Sequence, residues 1–157
     1  VHSEIFEDIT DSIQADLIFI NSVIEHPHSL DFFFNKLANS LTPKGVVSLF
    51  DMHSNGLDIM LLKEHAQNVN PLLILQIGSV QGIRELSSRH NMEVIEAYSG
   101  GRLDSEIIYE FCQSLDRDHP LYGMSVLLSS KDARMQFQDF LTANLKTGYN
   151  GYVIKKK

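Results

Sequence analysis

Apolar residues form two kinds of run in the first third of the chain. Residues 17–20 and 46–50 are short apolar runs, which are typical of strands in a sheet covered on both faces. Between them, apolar side chains recur at helical spacing, at Leu30, Phe33, Phe34, Leu37 and Leu41. Ser29 precedes this stripe as a candidate N-cap, and the T-P-K-G segment at 42–45 ends it. The pattern predicts a strand, a helix over 30–41 and a second strand.

The rest of the chain continues this alternation. The apolar spacing predicts helices over 57–66, 79–90, 104–115 and 131–145, a short helix within 118–129, and strands over 92–98 and 152–154. The last strand is flanked by glycines, which favours a position at the edge of the sheet. Such an order is typical of an α/β fold with a mostly parallel sheet and flanking helices.

Composition narrows the class of protein. The 157 residues favour a single domain over 1–157, and the formal net charge of −7 argues against a nucleic-acid partner. Apolar runs are too short for a membrane span, so no membrane partner is expected. Cys112 is the only cysteine, which excludes an internal disulfide and favours a reducing, cytoplasmic location.

Polar residues follow two of the predicted strands at the point where each strand ends. Asn21 and Glu25 come after the first strand, and Asp51 and His53 come after the second. In open α/β sheets, ligands bind beyond the carboxyl ends of the strands. The sequence therefore predicts a site at this edge of the sheet.

Several short motifs occur in a recognisable order. D-L-I at 16–18, V-I-E-H at 23–26 and L-T-P-K-G at 41–45 resemble the F-D-x-I strand, V-L-E-H segment and L-x-P-G-G turn of class I S-adenosylmethionine-dependent methyltransferases. Further motifs resemble those of a bacterial subgroup: N-V-N-P at 68–71, G-R-L-D at 101–104 and F-Q-x-F-L at 137–141. The resemblance covers nearly the whole chain.

This resemblance implies a fold, a cofactor and a class of reaction. The fold would be a Rossmann-like, mostly parallel sheet with flanking helices, and the cofactor would be S-adenosylmethionine. The subgroup is often met among enzymes of surface-polysaccharide or sugar precursors, which suggests a small-molecule or saccharide acceptor.

The chain departs from the family pattern in three places. The G-x-G-x-G loop and the acidic residue that holds the cofactor ribose are absent, so we expect both to lie before Val1. The sheet would then be truncated at the N-terminus, inactive as this fragment and prone to self-association. Ile74 also stands where the subgroup has a histidine. A non-catalytic partner-binding or regulatory module of the same fold is therefore the alternative function.

The family pattern implies which residues approach the cofactor. Asn21 and Ser22 would pass its methionine part and Glu25 would lie nearby, while Phe6 and Glu7 match the segment that touches the adenine. Each has a purely structural alternative: capping at a strand end for Asn21 and Ser22, binding of a backbone amide for Glu25, and a strand end with a solvated turn for Phe6 and Glu7.

Two histidines are candidate catalytic bases, because a general base with a near-neutral pKa assists methyl transfer to oxygen. His26 follows the V-I-E segment, and its alternative is to brace the helix after Ser29. His53 lies in the loop after the second strand, and its alternative is an exposed loop residue. The pairs Asp51–His53 and His26–His28 show no third ligand at a telling spacing, so we predict no metal site.

Overall fold

The computed structural model describes residues 6–8, 13–66, 69–70 and 72–157. Its strands are β1 (Ala15–Asn21), β2 (Leu41–Met52), β3 (Met92–Ser99) and β4 (Tyr149–Lys156). Its α-helices are α1 (Leu30–Ser40), α2 (Leu57–Leu62), α3 (Val80–Arg89), α4 (Asp104–Gln113), α5 (Tyr122–Leu127) and α6 (Lys131–Ala143). Short 3₁₀ helices cover Phe6–Asp8 and Lys63–His65.

The described strands form one sheet in the order β1-β2-β4-β3. β1 and β2 are parallel, and β4 is antiparallel to both β2 and β3. The first three strands therefore point the same way, which confirms the predicted α/β fold with a mostly parallel sheet.

The interpretation of the last strand as an edge strand was wrong. β4 lies between β2 and β3, and a Cβ atom built on Gly151 would come within 2.2 Å of the Tyr98 ring. The glycine therefore makes room for the neighbouring strand's side chain rather than ending the sheet.

Serines begin three of the helices by satisfying free backbone amides. The side chains of Ser29, Ser79 and Ser130 accept hydrogen bonds from the amides of Phe32, Gly82 and Ala133 respectively. This confirms the N-cap predicted at Ser29, because such side chains replace the hydrogen bonds that the first helical turn lacks.

The turn predicted at 42–45 is part of strand β2. Ala15 pairs with Leu41 and Leu17 pairs with Val46, so residues 42–45 of β2 lie opposite the single residue Asp16 of β1 and make the ladder irregular. A Cβ atom on Gly45 would lie 2.7 Å from the Ala15 carbonyl oxygen, which explains the glycine. Thr42 Oγ1 donates to Asp16 Oδ1 at 2.6 Å, and this hydrogen bond holds residues 42–45 against the start of β1.

Two clusters of buried side chains hold these layers together. The larger lies between the sheet and helices α1 and α3, and includes Phe33, Phe34, Leu49, Ile83 and Tyr152. The second joins α2, α4 and α6, and includes Leu62, Ile108, Cys112, Leu128 and Leu141. Cys112 is fully buried there, and burial raises the pKa of its thiol, which suits a small packing residue.

One surface of the edge strand β1 is apolar and open. The side chains of Leu17 and Phe19 are 61% and 70% exposed, and β1 pairs with no described strand on its outer side. An unpaired strand edge with apolar side chains favours association with another chain.

Within the described ranges, no helix has the length and apolar character that crossing a bilayer requires.

We predict that the chain self-associates through β1. Phe19→Lys should weaken association, because the charge disfavours burial of this surface. Sedimentation velocity over a concentration series measures the effect. Phe32→Lys is the matched control, since Phe32 is 52% exposed on α1, away from the sheet edge. A wild-type chain that remains a compact monomer at high concentration would contradict the prediction.

Candidate functional site

The sheet gathers its polar residues at one end, which we call the carboxyl edge and define by residues 21–26, 51–53, 99–104 and 147–150. The first three segments follow the ends of β1, β2 and β3, and the fourth leads into the antiparallel β4. The sequence-predicted residues Asn21, Ser22, Glu25, His26 and His53 therefore lie at the same edge, as expected.

Asp51 fixes the loop after β1 to the end of β2. Its Oδ2 accepts hydrogen bonds from the amides of Val23 and Ile24, both at 2.9 Å, and its Oδ1 accepts from the amide of Met52 at 2.8 Å. Asp51 is only 1% exposed. A buried carboxylate with three amide donors makes strong, charge-assisted bonds, so the position of this loop depends on Asp51.

Glu25 is held beside this carboxylate. Burial, a side-chain hydrogen bond with Asp51 and the charge of Asp51 together raise the pKa of Glu25 to about 8. Glu25 is therefore protonated at neutral pH, because two neighbouring carboxylates disfavour a second charge. Its Oε2 is buried and has no hydrogen-bond partner among the described residues. The site thus holds a neutral carboxyl group with an unused oxygen.

His26 lies next to Glu25 with about half of its side chain exposed. Its Nδ1 is 3.0 Å from the Leu73 carbonyl oxygen, so Nδ1–H donates to that carbonyl. Nε2 then carries the lone pair and lies 3.7 Å from Glu25 Oε1. The ring is oriented with an available basic nitrogen, which is the geometry that a general base needs.

A segment that we did not assign to the site also covers this loop. The Leu75 amide donates to the Glu25 carbonyl at 2.9 Å, and Gln76 Nε2 donates to the carbonyls of Ile24 and Pro27 at 3.2 and 2.6 Å. Ile74, which replaces the subgroup's histidine, is in this segment. Residues 68 and 71 of the N-V-N-P motif lie outside the described residues.

His53 is buried rather than exposed. It is 1% exposed, and its Nε2 hydrogen-bonds the Tyr152 hydroxyl. Burial lowers the pKa of His53 to about 4 despite the opposing charge of Asp51, so the ring is neutral at neutral pH. Nδ1 has no partner among the described residues. The alternative of an exposed loop residue is therefore wrong, and the catalytic role remains a prediction.

The remaining cofactor candidates occupy two places. Asn21 is exposed at the end of β1, and Ser22 adopts a left-handed backbone with φ of 51° while its amide donates to the Phe50 carbonyl. Phe6 instead packs on α1, where its ring is 5.3 Å from that of Phe33. The side chain of Glu7 lies outside the described residues. The structure thus brings Asn21 and Ser22 to the edge.

A second carboxylate fixes the start of β4. Asp104 Oδ1 accepts from the Gly148 amide at 2.6 Å, and its Oδ2 accepts from Gln138 Nε2 at 2.9 Å. Gln138 also donates to the Gly101 carbonyl and accepts from the Ser105 amide. Asp104 is the first residue of α4, and Leu103 occupies the N-cap position without a side-chain hydrogen bond. These contacts explain why the G-R-L-D and F-Q motifs occur together.

Asp58 is a site residue that sequence analysis missed. It lies in the first turn of α2, is 5% exposed, and its Oδ1 has no partner among the described residues. Burial raises the pKa of Asp58 to about 6, and the charge of Asp104 adds to this. Its position two residues after Asn55-Gly56 was only a weak indication of a site, since acidic residues in a first helical turn are normally exposed.

In the described parts of the chain, no three His, Cys, Asp or Glu side chains form a group suited to a metal.

The protonation of Glu25 predicts a pH dependence. The stability that this proton provides is complete below the ordinary pKa of 4.5 and is lost as pH rises to about 8. The Glu25→Gln variant does not undergo this pH-dependent loss of stability. The melting temperature of the variant minus that of wild type should therefore increase with pH over this range. Above about pH 8, the gain should be up to about 5 kcal/mol, the free energy that corresponds to a pKa shift from 4.5 to about 8.

Thermal unfolding followed by circular dichroism at a series of pH values measures this difference. Glu96→Gln is the matched control, because Glu96 is exposed on β3, and its difference from wild type should not vary with pH. A Glu25→Gln difference that is equally constant would show that Glu25 is ionised in the folded protein.

Comparison with known proteins identifies the fold through structure rather than sequence. No protein-family model matches the chain, and no curated protein sequence matches it. Solved structures do match over nearly all of its length, at low sequence identity.

Three solved structures illustrate the match. The O-methyltransferase from a trans-AT PKS multienzyme of Brevibacillus brevis, in complex with S-adenosyl-L-homocysteine, has a TM-score of 0.58 and 16% identity over 99% of this chain and 48% of that chain. A protein provisionally described as a sarcosine dimethylglycine methyltransferase from Galdieria sulphuraria has a TM-score of 0.55 and 16% identity over 98% and 58%. The [4+2]-cyclase SpnF has a TM-score of 0.55 and 10% identity over 98% and 54%.

These likenesses establish the fold. The chain spans about half the length of the solved structures that it matches. It has the Rossmann-like fold of class I S-adenosylmethionine-dependent methyltransferases, and it corresponds to the C-terminal part of that fold.

Proposed function

We propose that this protein takes part in methyl transfer from S-adenosylmethionine to a small-molecule or saccharide acceptor. The observation that supports this function is the carboxyl edge of a methyltransferase fold, where Asp51 holds Glu25 and His26 in fixed positions. The same fold occurs in a [4+2]-cyclase, so the chemistry of the edge, more than the fold, has to support the reaction.

Residues at the end of β1 fit the amino-acid part of the cofactor. The buried Oε2 of Glu25 has no partner among the described residues, and a buried polar atom gains from a ligand hydrogen bond. Asn21 is exposed at the end of β1. In our proposal Asn21, Ser22 and Glu25 bind the methionine part, while Phe6 and Glu7 approach the adenine. The cofactor, when bound, supplies a methyl group on a positively charged sulfur.

The two histidines receive different roles in the proposal. Nε2 of His26 carries the lone pair and is accessible, so His26 would accept the proton of an acceptor hydroxyl or amine. His53 is buried against Tyr152, so we assign it to positioning of the β2 end and the neighbouring strand. Transfer needs the acceptor aligned with the cofactor sulfur, and positioning supplies much of the rate.

The acceptor would lie next to the edge. A cavity of about 300 Å³ is lined by Asp58, Gly100, Gly101, Arg102, Leu103, Asp104, Ile107 and Tyr149. This volume suits a small molecule or a sugar unit. Because the chain spans about half of the matched structures, we propose that it binds cofactor only weakly by itself. The single cysteine supports a cytoplasmic location.

We predict weak binding of S-adenosyl-L-homocysteine at the end of β1. An NMR titration should perturb the backbone amides of residues 21–25 at millimolar ligand, and Asn21→Ala should reduce the shifts by removing a polar contact. Asn35→Ala, at an exposed position on α1, should leave them unchanged. Shifts that are absent, or confined to other regions, would favour the non-catalytic module of the same fold.

The base assigned to His26 predicts a specific tautomer. When the His26 ring is neutral, long-range proton–nitrogen NMR spectra should show the proton on Nδ1 and the lone pair on Nε2, because Nδ1–H donates to the Leu73 carbonyl. His28 is the control, since it is exposed in the same loop. Its neutral ring should show a mixture of the Nδ1–H and Nε2–H tautomers. A proton on Nε2 of His26 would remove the proposed base.

A further inference from the structure

A second cavity lies behind the carboxyl edge, between α2 and α4. It has a volume of about 480 Å³ and is lined by Asp58, Ile59, Leu62, His65, Ala66, Ile107, Glu110, Phe111, Ser114 and Leu115. We call it the α2–α4 cavity. Its wall shares Asp58 and Ile107 with the smaller cavity at the edge. Most of its lining is hydrocarbon, which is typical of a pocket for a small organic ligand.

Asp58 is the polar anchor of this cavity. The side chain is 5% exposed, and its Oδ1 has no hydrogen-bond partner among the described residues. Its pKa is raised to about 6, so the carboxyl is mostly ionised at neutral pH. Hydrogen bonds from the backbone at Ile59 and Asp58 offset part of the cost of burying this carboxyl group, and a ligand that supplies a donor to Oδ1 and a positive charge would offset more of it.

The charges of the lining select the type of ligand. Asp58 and Glu110 are acidic, His65 is the only basic side chain among the lining residues, and Lys and Arg are absent from it. A cation is attracted by this arrangement and an anion is repelled. A neutral hydroxyl would satisfy the hydrogen bond of Asp58 but not its charge, so an ammonium group is the better complement.

Access to Oδ1 requires a small movement. The atom carries almost no accessible surface, and a Cβ atom built on Gly56 would lie 2.7 Å from it, so the oxygen presently faces the glycine backbone. The terminal torsion of an aspartate is broad. Because Asp58 lines both cavities, a rotation of the carboxyl group about this torsion would bring Oδ1 to either of them.

We propose that the α2–α4 cavity binds a small organic amine in its protonated form, with the ammonium donating to Asp58 and the hydrocarbon part packing against Leu62, Ile107 and Phe111. Binding at this site does not depend on methyl transfer. If the amine is also the methyl acceptor, that step rests on the function proposed above.

Binding of benzylamine to the whole chain tests the proposal, with benzyl alcohol and benzoate as neutral and anionic probes of similar size. An NMR titration should give a dissociation constant on the order of 1 mM for benzylamine, as expected for a ligand of this size. Shifts should centre on α2 and α4. The two other probes should bind about tenfold more weakly, because they lack the charge-assisted bond.

Substitutions in the chain test whether Asp58 is the group that binds the ammonium. Asp58→Asn should weaken benzylamine binding about tenfold, whereas Asp116→Asn, which changes the net charge equally outside the cavity lining, should leave it unchanged. Leu115→Trp fills the cavity without altering Asp58 and should abolish binding. Circular dichroism checks that each variant folds, and Leu115→Trp gives an independent readout if Asp58→Asn does not fold.

Three results would overturn the proposal. Benzyl alcohol binding as tightly as benzylamine would show that charge plays no part. Equal binding by wild type and folded Asp58→Asn, or by wild type and Leu115→Trp, would place the ligand elsewhere. Absence of benzylamine shifts at about twenty times the expected dissociation constant would exclude the site. Each of these results leaves the binding of S-adenosyl-L-homocysteine at β1 unaffected, so the two proposals fail separately.

Discussion

The three hydrogen bonds accepted by Asp51 determine the geometry of the candidate site. Two of them join the loop after β1 to the end of β2, next to the bond from the Ser22 amide to the Phe50 carbonyl, and the third comes from the adjacent Met52 amide. With the loop held, Glu25 lies against a carboxylate and keeps its proton, and His26 is placed so that Leu73 can orient its ring. Burial is the main reason that Glu25 stays protonated, and the carboxylate that accepts these amide hydrogen bonds adds to it.

Asp104 has the corresponding role at the other side of the edge. It binds the amide that precedes β4 and, through Gln138, connects α4 to α6. Asp58 lies between these two arrangements and accepts no such bond at Oδ1. Two of the three buried aspartates at this end thus stabilise the fold, while the third has a free oxygen next to two cavities. This contrast distinguishes a structural carboxylate from one suited to a ligand.

Local pattern predicted most of the elements and their order. The stripe from Leu30 to Leu41, the serine caps and the apolar strands each depend on neighbouring residues, so the sequence displays them directly. The place of β4 was not predictable in this way, because its partners in β2 are about a hundred residues away and local periodicity carries no information on pairing. The wrong edge assignment followed from the glycines, whose reason is the Tyr98 ring of another strand.

The same limit applies to the site. Asn21, Glu25, Asp51 and His53 were predicted at one edge of the sheet, because each follows the end of a strand and parallel strands end at the same edge. The burial of His53 depends on Tyr152, and that of Asp58 on Gly56 and Gly148, all of which are contacts made only in the folded chain. The family motifs identified Gln138 and Asp104 as notable residues without indicating that they bind each other.

The antiparallel insertion of β4 also has a consequence for synthesis of the protein. β2 and β3 do not pair with each other, and β4, which lies between them, follows both along the chain. Until residues 149–156 emerge, β3 and its helices have no sheet to join, and the nascent chain exposes two separate strand edges. Sequence-distant pairing of this kind slows folding, and a chain that lacked residues 149–156 would be left with a sheet divided in two.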